Sequence, residues 1–236
     1  MNHIICSHKI TDEIEQNLIK LGVTPVKLRG FDKFGKFHPL SCHPDMFCFN
    51  LGKSDWIFFD EVYKTNKNII DSLDINVIVT KNPVSCEYPR DVGLNAAIVG
   101  NNLICNVKYT DIKIIDHAYF TGKNIIDVKQ GYTKCSVCIV DENSIITSDE
   151  SIEQKAAHNN INVLLIEKGN IDLNGYNYGF IGGCTGLINK NKLAFTGNIK
   201  NHPNYREIKD FCINRGVEII SLSAQKLYDY GSLLCI

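Results

Sequence analysis

The sequence predicts a single α/β domain in which repeated strand-hairpin units, with helices between them, close into a ring. Three observations carry this expectation. A helix-then-strand pattern recurs four times, four segments read as apolar strand, polar turn and apolar strand, and the last apolar segment has no partner except the equally unpaired first one. At 236 residues the chain fits one large domain that can bury a substantial core. No charge block, Ser- or Pro-rich linker or composition shift marks a boundary, so one domain over 1–236 is expected.

The first helix is expected over residues 10–21, where Ile10, Ile14, Leu18 and Leu21 form an apolar stripe behind a Thr11 cap, and Gly22 ends it. Thr24-Pro25-Val26-Lys27-Leu28 follows as a strand. A shorter helix fits 66–73, before the strand Asn76-Val77-Ile78-Val79, and another fits 149–159, before Asn162-Val163-Leu164-Leu165-Ile166. The last helix covers 205–215, opened by Pro203 and closed by Gly216, and leads into Val217-Glu218-Ile219-Ile220. Hairpins are expected over 45–59, 95–106, 135–147 and 184–195. A half-hairpin, Gly231-Ser232-Leu233-Leu234-Cys235-Ile236, finds its natural partner in His3-Ile4-Ile5-Cys6. That pairing would remove the exposed edges that an open array leaves.

Composition narrows the partners. Lys and Arg number 25 against 26 Asp and Glu, a near-zero balance that argues against nucleic acid or an anionic membrane surface and for small molecules or proteins. The N-terminal stretch has neither the basic nor the apolar region of a signal peptide, and no run approaches a membrane span, so a cytoplasmic protein is expected. The abundance of Asn, Ile and Lys suggests an AT-rich bacterial genome and carries no functional weight. Cys48, Cys105 and Cys138 sit in apolar strand-like runs and read as small buried hydrophobes. Cys135-Ser136-Val137-Cys138 has zinc-site spacing, but on a strand its cysteines would point to opposite faces, and no second ligand pair follows. The glycine-rich stretch 179–186 lacks the Gly-Lys-Ser/Thr ending of a phosphate loop and leads into a hairpin, so its glycines read as close packing. No metal and no cofactor are expected.

Five hairpin units, helices between them and closure by the termini resemble the pentein architecture, the closed five-bladed α/β propeller of guanidino-group-modifying enzymes. His43-Pro44-Asp45-Met46, Gln130-Gly131-Tyr132-Thr133-Lys134-Cys135-Ser136, Gly179-Phe180-Ile181-Gly182-Gly183-Cys184 and Asp229-Tyr230-Gly231-Ser232 more narrowly resemble an uncharacterised bacterial branch of that fold. The resemblance implies a cysteine near the C-terminus that attacks the guanidinium carbon, a histidine of a His-x-Asp motif that moves protons, and carboxylates that grip the cation. Cys235, in Gly231-Ser232-Leu233-Leu234-Cys235, is similar in spacing to the family's Gly-x-x-x-Cys and is the candidate nucleophile; the competing reading makes it a core residue.

One departure stands out. The fourth unit, where the resemblance would put the histidine, has Gly182-Gly183-Cys184-Thr185-Gly186 instead. A His-x-Asp does occur on the first unit, as His43-Pro44-Asp45, and in a ring of five the first unit flanks the fifth as the fourth does. Cys235, His43 and Asp45 are therefore the candidate catalytic set. His202-Pro203-Asn204 repeats the pattern but opens the last helix.

Arg90, Asp91 and Asn95 lead into the second hairpin and Gln130 and Lys134 into the third. With Asp229 and Cys184 they are the candidate substrate-binding residues, suited to an amino-acid-like ligand if they converge on the axis; otherwise Arg90, Asp91 and Lys134 are surface turns. The expected function is a cysteine-dependent hydrolase or transferase acting on a guanidine- or amidine-type C–N bond. The alternatives are a catalytically inactive binding protein, favoured by the missing histidine, and Cys184 as the reactive thiol beneath Gly182-Gly183.

Overall fold

The computed structural model describes residues 2–30, 39–80, 82 and 87–236. The chain opens with β1 (Asn2–Ser7), helix α1 (Asp12–Lys20) and β2 (Val23–Leu28). Thr11 caps α1 by accepting the Ile14 N–H at 3.3 Å, and Gly22, at φ 77°, turns the chain out of it. The next unit begins with a single helical turn at Pro44–Phe47 and continues through β3 (Cys48–Gly52), β4 (Asp55–Phe59), α2 (Asp60–Thr65), α3 (Lys67–Ile70) and β5 (Asn76–Thr80). Then come β6 (Ala97–Val99), β7 (Asn102–Cys105), α4 (Ile112–Phe120) and β8 (Asn124–Asp127). A second helical turn, Thr133–Ser136, leads to β9 (Cys138–Asp141), β10 (Ser144–Thr147), α5 (Glu150–His158) and β11 (Asn162–Leu165). The last full unit is β12 (Thr185–Asn189), β13 (Lys192–Phe195), α6 (Tyr205–Ile213) and β14 (Glu218–Ser221), and β15 (Leu234–Cys235) follows.

These strands form five three-stranded sheets of one design: an antiparallel pair, then a parallel strand reached through helix. Four are built from consecutive strands. The fifth has the order β15-β1-β2, with Ile4 opposite Cys235 and Ile5 opposite Leu234, so the two ends of the chain complete one blade together. The core lies between blades. Leu28, Trp56, Phe58 and Leu103 share one buried cluster that joins three consecutive blades; Ile104 and Ile145 share a second, Ile146 and Phe195 a third, and Ala194, Ile4 and Leu18 a fourth, which brings the core back to the first blade. This is the pentein-like α/β propeller. Among the described residues no helix is long and apolar enough to cross a membrane.

Three details differ from the sequence reading. The helix expected at 66–73 is two short helices that begin at Asp60, directly after β4, and break at Asn66. That side chain is turned onto the first blade, where it bonds Arg29 O at 2.8 Å and accepts from Arg29 N at 2.9 Å. The pattern of helix then strand occurs a further time, at α4 and β8. Asp111 caps α4 through the Lys113 N–H at 2.9 Å, and the exposed side carries Ile112, Tyr119 and Phe120, so no clean stripe marks it. Residues 45–47 and 135–136 form helical turns ahead of their strands; Pro44 sets the first of these.

At the axis the five blades are tied by a closed circuit of hydrogen bonds. Asn95 Nδ2 donates to Asp45 O (3.0 Å), and Asn95 Oδ1 accepts from Lys134 N (2.7 Å) and Cys135 N (3.3 Å). Gly183 N donates to Cys135 O (3.0 Å), Ser232 N to Gly183 O (2.7 Å), and Asp45 N to Gly231 O (3.1 Å).

Deleting residues 233–236 removes β15 and the Ile236 N–H bond to His3 O. Leu233 is buried and worth about 1.5–3 kcal/mol, and the half-buried Leu234, Cys235 and Ile236 each add a part of that, so the loss is a large fraction of the stability of an ordinary domain. The truncated chain is expected to lose soluble yield and cooperative melting; a melting temperature within a degree or two of the parent would exclude closure by the ends. Asn95→Ala, which opens the axial circuit, is expected to cost on the order of 3 kcal/mol in denaturant unfolding, since it leaves three buried backbone groups without partners. A loss under about 0.5 kcal/mol, as at a surface site, would show that the circuit is dispensable.

Candidate functional site

The circuit divides the axis into two sides. Residues that precede it along the chain form the mouth made by the loops; residues that follow it belong to β3, β6, β9, β12 and β15, which line the other side. On the loop side a cavity of about 250 Å3 has Asp229 and Cys135 at its base and Tyr132, Tyr176, Tyr178 and Phe180 around it. The Tyr132 and Phe180 rings are 6.2 Å apart and the Tyr178 ring meets Phe180 edge-on at 6.3 Å. An adjoining cavity of about 320 Å3 shares Asp229 and adds His43, Tyr228, Tyr230 and Lys9.

Asp229 is held by backbone. Its Oδ2 accepts the Phe180 N–H at 2.9 Å, its Oδ1 accepts the Gly231 N–H at 3.0 Å, and His43 Nδ1 lies 3.6 Å from Oδ1. Gly183 leaves room for the carboxylate, because a Cβ there would stand 2.0 Å from Asp229 Oδ1. Gly231, at φ 80°, likewise packs its backbone on His43. Burial pushes the Asp229 carboxyl up to about 6, against the two backbone N–H bonds and the Lys134 charge, which favour ionisation.

Asp45 stands at the centre of the circuit. Its Oδ2 accepts from Cys135 Sγ at 3.3 Å and lies 2.6 Å from Ser232 Oγ, which in turn receives Lys134 Nζ at 3.0 Å. Burial raises its carboxyl too. Asn95 Nδ2 also reaches Cys135 Sγ, at 3.1 Å. The Cys135 thiol is pushed well up by burial and then by the charges of Asp45 and Asp229, so it rests protonated at neutral pH.

The sequence candidates fall into three groups. Asp45, Asn95, Lys134 and Asp229 meet on the axis, with His43 beside Asp229. Cys235 is half-buried on the opposite side, in a cavity of about 300 Å3 that it shares with Asp45 and Lys134 but with no histidine among the described residues. Burial raises its thiol. Cys184 is fully buried beneath Gly182 and Gly183, with its Sγ bonded to Ile181 O at 3.3 Å and its thiol pushed well up by burial and then by Asp229.

Away from the axis, Asp91 accepts the Tyr132 hydroxyl at 2.7 Å and so supports the aromatic wall. Gln130 turns outward to Asp149 at 3.1 Å, and Arg90 is exposed. The sequence reading missed Cys135, Ser232 and the tyrosines. In the sequence Cys135 reads as half of a Cys-x-x-Cys on one strand, whereas it sits on the helical turn and Cys138 begins β9. Tyr176, Tyr178 and Phe180 alternate in a loop, a signal that only the folded position of that loop makes legible.

No curated protein matches the chain in sequence. In structure it is similar to a dimethylarginine dimethylaminohydrolase solved as an adduct with 4-chloro-2-hydroxymethylpyridine, at 11% identity and a TM-score of 0.59 over 99% of each chain. It is also similar to an amidinotransferase of saxitoxin biosynthesis from Microseira wollei, at 10% identity and a TM-score of 0.58 over 94% of this chain and 88% of that one. A third neighbour is the agmatine deiminase of C. jejuni, at 12% identity and a TM-score of 0.57 over 99% of this chain and 92% of that one. The fold is thus the one shared by these guanidino-group-modifying enzymes. Residues 5–234 match the model of a family of unknown function, DUF6873, and the chain belongs to that family.

Proposed function

We propose that the loop-side cavity binds a small guanidine- or amidine-bearing molecule and that Cys135 is the thiol available for C–N chemistry on it. The observation that carries this reading is a buried carboxylate, Asp229, at the base of a cavity walled by aromatic rings. A planar cation there gains a charge-assisted bond below and ring faces around it. The names of the structural neighbours supply the ligand class to try first: agmatine, dimethylarginine and amidino groups.

In the catalytic form of this reading, Cys135 Sγ adds to the amidinium carbon while its proton passes to Asp45 Oδ2, its hydrogen-bond acceptor. The C–N bond then breaks, with the departing amine taking that proton, and water displaces the sulfur. A second reading, binding without turnover, is favoured by a specific observation: burial and two carboxylates hold the Cys135 thiol protonated. Incubation with 2-chloroacetamidine and peptide mapping separate the two. Labelling of Cys135, slowed by agmatine, is expected; no labelling faster than a free thiol leaves the binding reading. Labelling of Cys235 would move the chemistry to the other cavity, where the spacing of its motif put it.

Cation binding needs Asp229 ionised. Its carboxyl is raised to about 6, so agmatine affinity measured by calorimetry should be level above that pH. It should fall by about tenfold per unit as pH drops below it, whereas an ordinary carboxylate would hold to roughly pH 4. Asp229→Asn should weaken agmatine at least about 30-fold at pH 7.5 and remove the pH dependence. A binding curve flat from pH 7.5 to 5 would exclude Asp229 as the anion.

A further inference from the structure

The cavity on the strand side of the circuit has a different character. Its walls are Phe49, Trp56, Leu94, Ile98, Leu187 and Leu234, and its polar floor is Asp45 with Lys134. Asp45 is 1% exposed, and its Oδ1 has no hydrogen-bond partner among the described residues; Trp56 Nε1, also buried, has none either. Lys134 directs one of its three N–H donors to Ser232. A buried acceptor and a buried donor that lack partners each cost free energy, and a ligand that supplies both complements removes that cost.

We propose that this cavity is a second small-molecule site, separate from the cation site, and that it takes a short apolar molecule ending in a primary carboxamide. The amide NH2 donates to Asp45 Oδ1, and the amide oxygen accepts from Lys134 Nζ or Trp56 Nε1. Charge selects this head group over its relatives. A carboxylate brings a second anion against Asp45, an ammonium or guanidinium brings a second cation against Lys134, and an alkane leaves the floor unmatched. A carboxamide offers donor and acceptor side by side without net charge. The volume, about 300 Å3, is at the small end of ligand cavities and fits a short chain or a single ring.

Trp56 is the only tryptophan of the chain and lines this cavity, so its emission reports on this site. Titration of the protein with hexanamide should shift Trp56 emission saturably. Hexanoate and hexylammonium, matched in length, should bind at least about tenfold more weakly, which corresponds to about 1.4 kcal/mol. K134M should narrow that preference. Agmatine should not displace hexanamide. The proposal is overturned by an absence of saturable change with hexanamide, by three affinities within twofold of one another, or by competitive displacement with agmatine. The head-group series uses the unaltered protein and decides the matter even if the K134M chain does not fold.

Discussion

The whole arrangement depends on burying Asp45 at the point where five blades converge. Its backbone N–H bonds Gly231, its carbonyl receives Asn95, and its carboxylate takes the thiol of Cys135 and lies within reach of the Ser232 hydroxyl, so one residue touches neighbours from the second, third and last hairpin units. A carboxylate in that position would be costly alone. Lys134, joined to it through Ser232, supplies the opposite charge without direct ion-pair contact, and the hydroxyl between them keeps both groups hydrogen-bonded. Because the ties run from blade to blade, shifting any one blade breaks bonds in two others. The axis is therefore a cross-braced place on which to mount a site.

How much of this was legible in the sequence follows from the range of each interaction. Helices with local start and stop signals, such as α1 with its Thr11 cap and Gly22 and α6 with Pro203 before it and Gly216 after it, announce themselves because those signals are local. The same holds for hairpins, whose apolar strands flank a polar turn. Pairing of β1 with β15 was also legible, by elimination, because both were strands without neighbours. The misses are cases where a distant partner decides. Asn66 breaks a helix because Arg29 is there to bond, and α4 keeps apolar residues on its exposed side, which erases the periodicity that would reveal it. In the site, Asp45, Asn95, Lys134 and Asp229 could be picked out as polar residues leading into apolar strands. Ser232 could not, since nothing local distinguishes a serine held by an aspartate 187 positions away from any other serine in a turn.

The placement of the cysteines separates fold from chemistry. The chain shares its architecture with enzymes that modify guanidino groups, yet a shared fold does not carry a shared reaction, and the thiols here are distributed unusually. Cys135 faces the loop-side cavity with Asp229, Cys235 faces the strand-side cavity with Asp45, and Cys184 is sealed between. The histidine absent from the fourth unit has a counterpart in His43, which reaches Asp229 from the first. It lies beside Asp229 and lines the adjoining cavity, whereas Cys135 lines the loop-side one.

That geometry bears on how a protonated thiol could ever react. Cys135 sits between two carboxylates, and their charges, added to burial, oppose the thiolate. A cation bound against Asp229 offsets one of these two charges. At a separation of about 5 Å and an effective dielectric of about 20, one unit charge shifts a neighbouring ionisation by roughly 3 kcal/mol, or about two pKa units. It also holds Asp229 in its ionised form, and its own positive charge offsets the Asp229 charge that had worked against the thiolate. A positively charged ligand would then supply the activation that no histidine among the described residues lining that cavity provides, and an uncharged analogue of the same shape would leave the thiol inert. On the proposed reading, a bound ligand's own charge, and not a preformed ion pair, would decide whether sulfur can attack.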